Sequence, residues 1–141
     1  MRSVNEPAAP PAYGVVLGHG GMATGLVDAV RRIAGVEEDV LIALSNEGKG
    51  PEALRDELAR TAGPGPALVF TDMHSGSCAL AARLVCRSRE SAVVCGVNLP
   101  MLLEFVFNRE LPLDQLVPRL IEQGRAAVTA HLPNADSPVP G

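Results

Sequence analysis

The sequence predicts an α/β protein with an open, mainly parallel, four-stranded sheet that carries helices on both faces. Four short apolar runs, at 14–18, 40–44, 67–72 and 92–97, alternate with segments of helical periodicity. Each run is continuously apolar, which is typical of a strand that is covered on both faces. Alternation of such strands with helices favours a parallel sheet whose strands are joined by right-handed crossovers.

The first two strands are each followed by a predicted helix. After "GVVLG", apolar residues recur with helical spacing up to Gly35, which is suited to end the helix; they are Met22, Leu26, Ala29, Val30 and Ile33. After "VLIAL" and the loop "SNEGKG", Pro51 suits the first position of a helix that runs to about Ala62.

The second half of the chain repeats this alternation and ends in a further helix. "ALVFTD" precedes a predicted helix at 75–88, and "AVVCGV" precedes a helix that follows Pro100. The last predicted helix runs from Leu116 to about Ala130, and Pro118 either kinks it or marks its start.

Length and composition indicate one domain. The chain has 141 residues, of which 47% are hydrophobic, so it can bury a sizeable core. Both ends are rich in proline and small polar residues. We therefore expect mobile tails at 1–13 and 133–141 around a single domain at 14–132.

Charge and motifs exclude several classes of function. A net charge of −4 argues against a nucleic-acid partner. No apolar run reaches 18 residues and the N-terminus lacks the apolar core of a signal peptide, so we expect a cytoplasmic protein. "NEGKGP" and "GHGGMATG" match neither a Walker A loop nor a dinucleotide fingerprint, so no cofactor is expected.

The cysteines give no metal-binding pattern. The chain has three of them, and their spacing fits neither a zinc site nor a CxxC motif; they are Cys78, Cys86 and Cys95. We interpret them as reduced core thiols and expect no metal.

Polar residues follow the predicted strands where a ligand would bind. In an open α/β sheet, ligands lie beyond the carboxyl ends of the strands. His19 follows the first strand, Asp72 ends the third and Asn98 follows the fourth. Each also has an ordinary structural explanation. His19 would be a solvated histidine in a turn, Asp72 or Ser75 would cap the following helix, and Asn98 would be a turn asparagine. Their shared position favours a functional reading.

The chemistry available at this edge is phosphoryl transfer through a histidine. A neutral imidazole is a nucleophile near neutral pH, and a carboxylate such as Asp72 can fix its tautomer. The start of the following helix can receive a phosphoryl group through its N–H groups, at Ser75, Gly76 and Ser77. We place Gly20, His74 and Asn98 at the rim of the pocket.

Four segments resemble the IIA component of the mannose-type sugar phosphotransferase system (PTS). They are "GVVLGHGGMATGLVDA", "LVFTDMHSGSCALAARLV", "VVCGVNLPMLLE" and "LIEQGRAAV", and they span about residues 14–130 in the order of the family. The chain departs from the usual loop after the aspartate, since Ser75 replaces a glycine, Cys78 a proline, and His74 a large apolar or aromatic residue.

The resemblance implies a phosphotransferase with a phosphohistidine intermediate. His19 would accept phosphate from the phosphocarrier HPr, with Asp72 orienting it, and pass it to a IIB component during sugar uptake. The protein would meet the membrane only peripherally, through other components. The family is often dimeric with an exchanged C-terminal strand, for which 126–132 is the only candidate here.

Two other functions use the same residues differently. A stand-alone regulatory IIA-like protein would use the phosphorylation state of His19 to control a partner. A non-catalytic binding module would need His19 to be inert. A serine hydrolase fits poorly because Ser77 lies in "GSC", outside a G-x-S-x-G elbow.

Overall fold

Strands and helices alternate along the chain until two consecutive helices close it. The computed structural model describes residues 10–87 and 90–134. Within these ranges the strands are β1 (Tyr13–Gly18), β2 (Leu41–Ser45), β3 (Ala67–Thr71) and β4 (Ser91–Cys95). The helices are α1 (Met22–Ala34), α2 (Pro51–Ala62), α3 (Ser77–Val85), α4 (Leu99–Phe107) and α5 (Leu113–Ala126).

The sheet confirms the predicted fold class. Its strand order is β2-β1-β3-β4, and every neighbouring pair is parallel. Gly18 pairs with Ser45 across β1 and β2, and Leu17 pairs with Thr71 across β1 and β3. The chain therefore leaves β1, β2 and β3 at the same edge of the sheet. The connections diverge between β1 and β3, which is the switch point where α/β sheets bind ligands.

Side chains of the central strands β1 and β3 are buried on both faces, which explains their continuous apolar runs. Val16 and Phe70 belong to a core shared with α1, α4 and α5, whereas Val15 and Val69 belong to a core shared with α2 and α3. Phe70 meets Phe105 of α4 edge to face, with ring centroids 5.3 Å apart. Burying each large apolar side chain contributes about 1.5–3 kcal/mol, so both cores hold the sheet rigid.

Several boundaries differ from the sequence prediction. Gly96, which we placed inside the fourth strand, has a φ of 83° and therefore lies beyond the end of β4 at Cys95. Helix α5 begins at Leu113 and runs through Pro118, so this proline does not mark its start. Gly35 takes the left-handed conformation expected of a residue that ends a helix.

The ends of the domain also differ from the expected tails. Ala12 is buried, and it exchanges hydrogen bonds with Arg109: the Ala12 amide donates to the Arg109 carbonyl at 3.1 Å, and the Arg109 Nε donates to the Ala12 carbonyl at 2.7 Å. Residues 128–134 are exposed and form no strand within the single chain. The remaining parts of the two predicted tails, 1–9 and 135–141, lie outside the described residues.

Among the described residues, none of the helices has the length and apolar character needed to cross a bilayer.

Candidate functional site

His19 and Asp72 meet at the carboxyl ends of β1 and β3. His19 Nδ1 lies 2.6 Å from Asp72 Oδ2, and the backbone N–H of His19 donates to the same oxygen at 3.0 Å. The backbone N–H of Met73 donates to Asp72 Oδ1 at 3.1 Å. Both carboxylate oxygens are therefore held, and the imidazole is fixed on one side by the carboxylate.

The carboxylate determines which ring nitrogen is free. Burial raises the pKa of Asp72, but hydrogen bonds from the His19 backbone and ring, together with the charge of the ring, outweigh it and hold that pKa below its usual value. An ionised carboxylate can only accept hydrogen bonds. When the His19 ring is neutral, it therefore donates from Nδ1, which leaves a lone pair on Nε2.

The turn after His19 is open. The His19 side chain is 44% exposed, whereas that of Asp72 is 10% exposed. A methyl group added at Gly20 or Gly21 would meet no atom within 4 Å, so the space beside these two residues is open. Gly20 has a φ of 57°, a conformation that other residues rarely adopt. The two glycines thus allow a large partner to approach the imidazole.

The start of α3 lies against the edge of the imidazole that carries Nε2. A methyl group added at Gly76 would lie 3.8 Å from His19 Cε1 and 3.9 Å from Nε2. Gly76 occupies the N-cap position with a φ of 93°, and no side chain caps the helix. Neither Asp72 nor Ser75 therefore serves as the cap. The first N–H groups of α3 remain available to an anion beside Nε2.

The loop after β2 supports the His19 turn. Ser45 Oγ donates to the Gly20 carbonyl at 2.9 Å and accepts from the Glu47 N–H at 3.0 Å. Asn46 Nδ2 donates to Ser77 Oγ at 3.3 Å, which ties this loop to the start of α3. Residues from three strand ends thus hold one another in place.

Asn98, which we expected at the pocket rim, makes its side-chain hydrogen bonds at the junction of α4 and α5. Its Oδ1 accepts from the Met101 N–H at 3.1 Å and caps α4, while its Nδ2 donates to the Gly124 carbonyl at 2.8 Å. Both polar groups therefore serve the packing of α4 against α5. His74 is exposed in the loop after β3, and its carbonyl accepts from Arg83 at 3.1 Å.

Cys78 is the site residue that sequence reasoning missed. Its Sγ lies 3.8 Å from His19 Nδ1, and its side chain is buried. Burial raises the pKa of the Cys78 thiol, and the negative charge of Asp72 raises it further. His19, Asp72 and Cys78 are the group of three described residues whose ligand atoms lie close enough together to hold a metal ion.

Comparison with known proteins identifies one family. The model of the EIIA-man family, described as the PTS system fructose IIA component, matches residues 14–117. This range contains all of the candidate site residues. The comparison with curated proteins gave no match.

Solved structures share the fold. A PTS component EIIA from Streptococcus agalactiae has 23% identity and a TM-score of 0.78, with 84% of this chain and 96% of that chain covered. A mannose/sorbose specific IIA subunit of the PTS from Enterococcus faecalis has 25% identity and a TM-score of 0.76, with 89% and 99% covered. A sigma-54 interaction domain protein from Enterococcus faecalis has 14% identity and a TM-score of 0.67, with 85% and 94% covered.

The lowered pKa of Asp72 predicts how stability depends on pH. A carboxyl whose pKa is lower in the folded state stabilises that state above its unfolded pKa, and this contribution is lost as the pH falls through the folded pKa. We expect the unfolding free energy of the wild type, relative to that of Asp72→Asn, to be higher at neutral pH than in acid. Denaturant unfolding of both proteins along a pH series measures this difference. A difference that stays constant down to strongly acidic pH would contradict the lowered pKa.

Proposed function

The chain belongs to the EIIA-man family of PTS fructose IIA components, and we propose that it carries a phosphoryl group on Nε2 of His19. Membership supports a phosphotransferase role in general. The observation that carries the specific proposal is the 2.6 Å contact between His19 Nδ1 and Asp72 Oδ2, which directs the Nε2 lone pair away from the carboxylate.

The proposed step needs no proton to leave His19. The Nε2 lone pair attacks the phosphorus of a donor phosphohistidine, and the donor's P–N bond breaks with its electron pair returning to the donor nitrogen. The product imidazole carries a positive charge, which the Asp72 carboxylate stabilises through the Nδ1–H hydrogen bond. Since phosphoryl transfer depends mainly on positioning and electrostatics, these are the contributions that the site needs to make.

The start of α3 supports the proposal as a cradle for the transferred group. Ser75, Gly76 and Ser77 precede or begin an uncapped helix, and Gly76 lies beside the Nε2 edge of the ring. Backbone N–H groups at a helix N-terminus bind phosphate oxygens well. We assign these three residues to phosphoryl binding.

The partners follow from the family. We propose that phospho-HPr donates the group and that a IIB component accepts it, with the protein acting in the cytoplasm during sugar uptake. An open turn at Gly20 and Gly21 is consistent with a protein partner, because another histidine must approach Nε2 closely.

Labelling with phosphate tests the assignment of His19. Incubation with enzyme I, HPr and labelled phosphoenolpyruvate should give one acid-labile, alkali-stable label that maps to His19. His19→Ala should abolish it. Asp72→Ala should remain folded but accept phosphate about 100-fold or more slowly, the scale expected when a positioned group that stabilises charge in the transition state is lost.

His74→Ala is the matched control, because His74 lies in the same edge loop but is exposed. It should keep most of the labelling. Label on His74 in the wild-type protein, or a wild-type rate in Asp72→Ala, would contradict the proposed roles.

We also propose that the protein is a homodimer that covers the free edge of β4. Among the described residues, this strand pairs with β3 alone, and exposed strand edges favour pairing with another chain. A groove beside the edge is lined by residues of β4, α4 and α5 and by Val128, among them Cys95, Met101 and Ile121. Leu132, farther along the chain, is an exposed apolar residue that would fill the corresponding groove of the partner subunit.

Sedimentation at micromolar concentration measures this assembly. We expect a species of twice the chain mass, and we expect deletion of 127–141 to weaken it. Deletion of 133–141 alone is the control and should change little. A single species near 14.7 kDa would contradict the dimer.

A further inference from the structure

Three different metal-ligating atoms converge beneath the exposed face of His19. The ligand atoms of His19, Asp72 and Cys78 all lie within 4.8 Å of one another. His19 Nδ1 is the shared neighbour, at 2.6 Å from Asp72 Oδ2 and 3.8 Å from Cys78 Sγ. Cys78 closes the inner side of this cluster, while the partly exposed imidazole leaves its outer side accessible.

We propose that this cluster binds a zinc-class divalent cation through His19 Nδ1, an Asp72 carboxylate oxygen and the Cys78 thiolate, with water as the fourth ligand. The combination of nitrogen, oxygen and sulfur donors favours Zn²⁺ or Co²⁺ over Mg²⁺ or Ca²⁺, which require oxygen ligands. Three protein ligands and one open position are typical of accessible zinc sites.

The observed spacing is close to what such an ion requires. Tetrahedral bonds of about 2.0–2.3 Å place neighbouring ligand atoms roughly 3.3–3.6 Å apart. The Nδ1–Sγ separation of 3.8 Å already approaches this spacing. The Nδ1–Oδ2 separation of 2.6 Å must widen by about 0.7 Å, as the ion takes the place of the shared proton.

Metal binding would change which ring nitrogen carries the proton. When the ion binds Nδ1, the neutral imidazole carries its proton on Nε2 instead, and the Cys78 thiol releases one proton to solvent. Nε2 then has no lone pair. If His19 is the phosphoryl acceptor proposed above, the metal-bound protein cannot accept phosphate, so the ion would act as a reversible inhibitor.

Titration of the full-length chain with Co²⁺ or Zn²⁺ alone tests the site directly. We expect one tight equivalent and, with Co²⁺, a near-ultraviolet absorption band from thiolate bonded to the metal. Cys78→Ala should lose the band and weaken binding by more than about 100-fold, because even changes outside the ligand shell cost about 10–100-fold. Cys86→Ala is the matched control, because Cys86 is a free and partly buried cysteine outside the cluster, and it should bind as the wild type does.

Two further measurements keep the test decisive. Cys78→Ser preserves the size of the buried side chain, so weakened binding in both Cys78 variants, with wild-type circular dichroism, excludes unfolding as the cause. Zinc should stop labelling of the wild type and leave whatever labelling Cys78→Ala shows unaffected.

Wild-type binding by Cys78→Ala, absence of the thiolate band, or no binding at millimolar metal would overturn the site. If the protein binds the metal but takes up no phosphate label when chelator is present, the proposed phosphoryl transfer is refuted while the metal site is supported.

Discussion

The hydrogen bond between His19 and Asp72 is the constraint on which the site depends. It joins the residue after β1 to the residue after β3, so it can form only because these two strands are neighbours in the sheet. The connections of the sheet diverge between these two strands, and the His19 side chain is partly exposed there. The two buried cores fix the strands, and the fixed strands hold the donor and acceptor at 2.6 Å.

The backbone near this bond leaves the imidazole open to an anion and to a partner. Helix α3 begins without a side-chain cap, as α1, α2 and α5 also do, so its first N–H groups have no side-chain acceptor. Gly20 and Gly76 adopt conformations with positive φ and leave the imidazole uncovered. The uncapped helix start and the two glycines allow both an anion and a protein partner to reach His19, as the proposed function requires. By contrast, α4 has a full cap from Asn98 where it packs against α5.

The sequence predicted the sheet and the central pair because both follow from local patterns. Continuous apolar runs indicated parallel strands, and polar residues after them indicated one shared edge that includes His19 and Asp72. The sequence did not predict the role of Asn98, since its amide binds a carbonyl 26 residues away and that contact depends on how two helices pack. Cys78 was also missed, because a cysteine inside an apolar helix is usually core. Its proximity to His19 depends on the path of the loop at Gly76, where the positive φ delays the helix by two residues from its expected start.

The tautomer of His19 is the property that unites these observations, and nitrogen-15 NMR of the imidazole measures it directly. Histidine-labelled protein at neutral pH, with chelator present and His19→Gln used to identify the signals, reports which ring nitrogen carries the proton. For the neutral ring, the structure predicts that Nδ1 is protonated and that Nε2 is not, and that Asp72→Ala removes this preference. A His19 ring that carries its proton mainly on Nε2 in the wild-type protein would contradict the account, because the proposed phosphoryl acceptor would have no lone pair to offer.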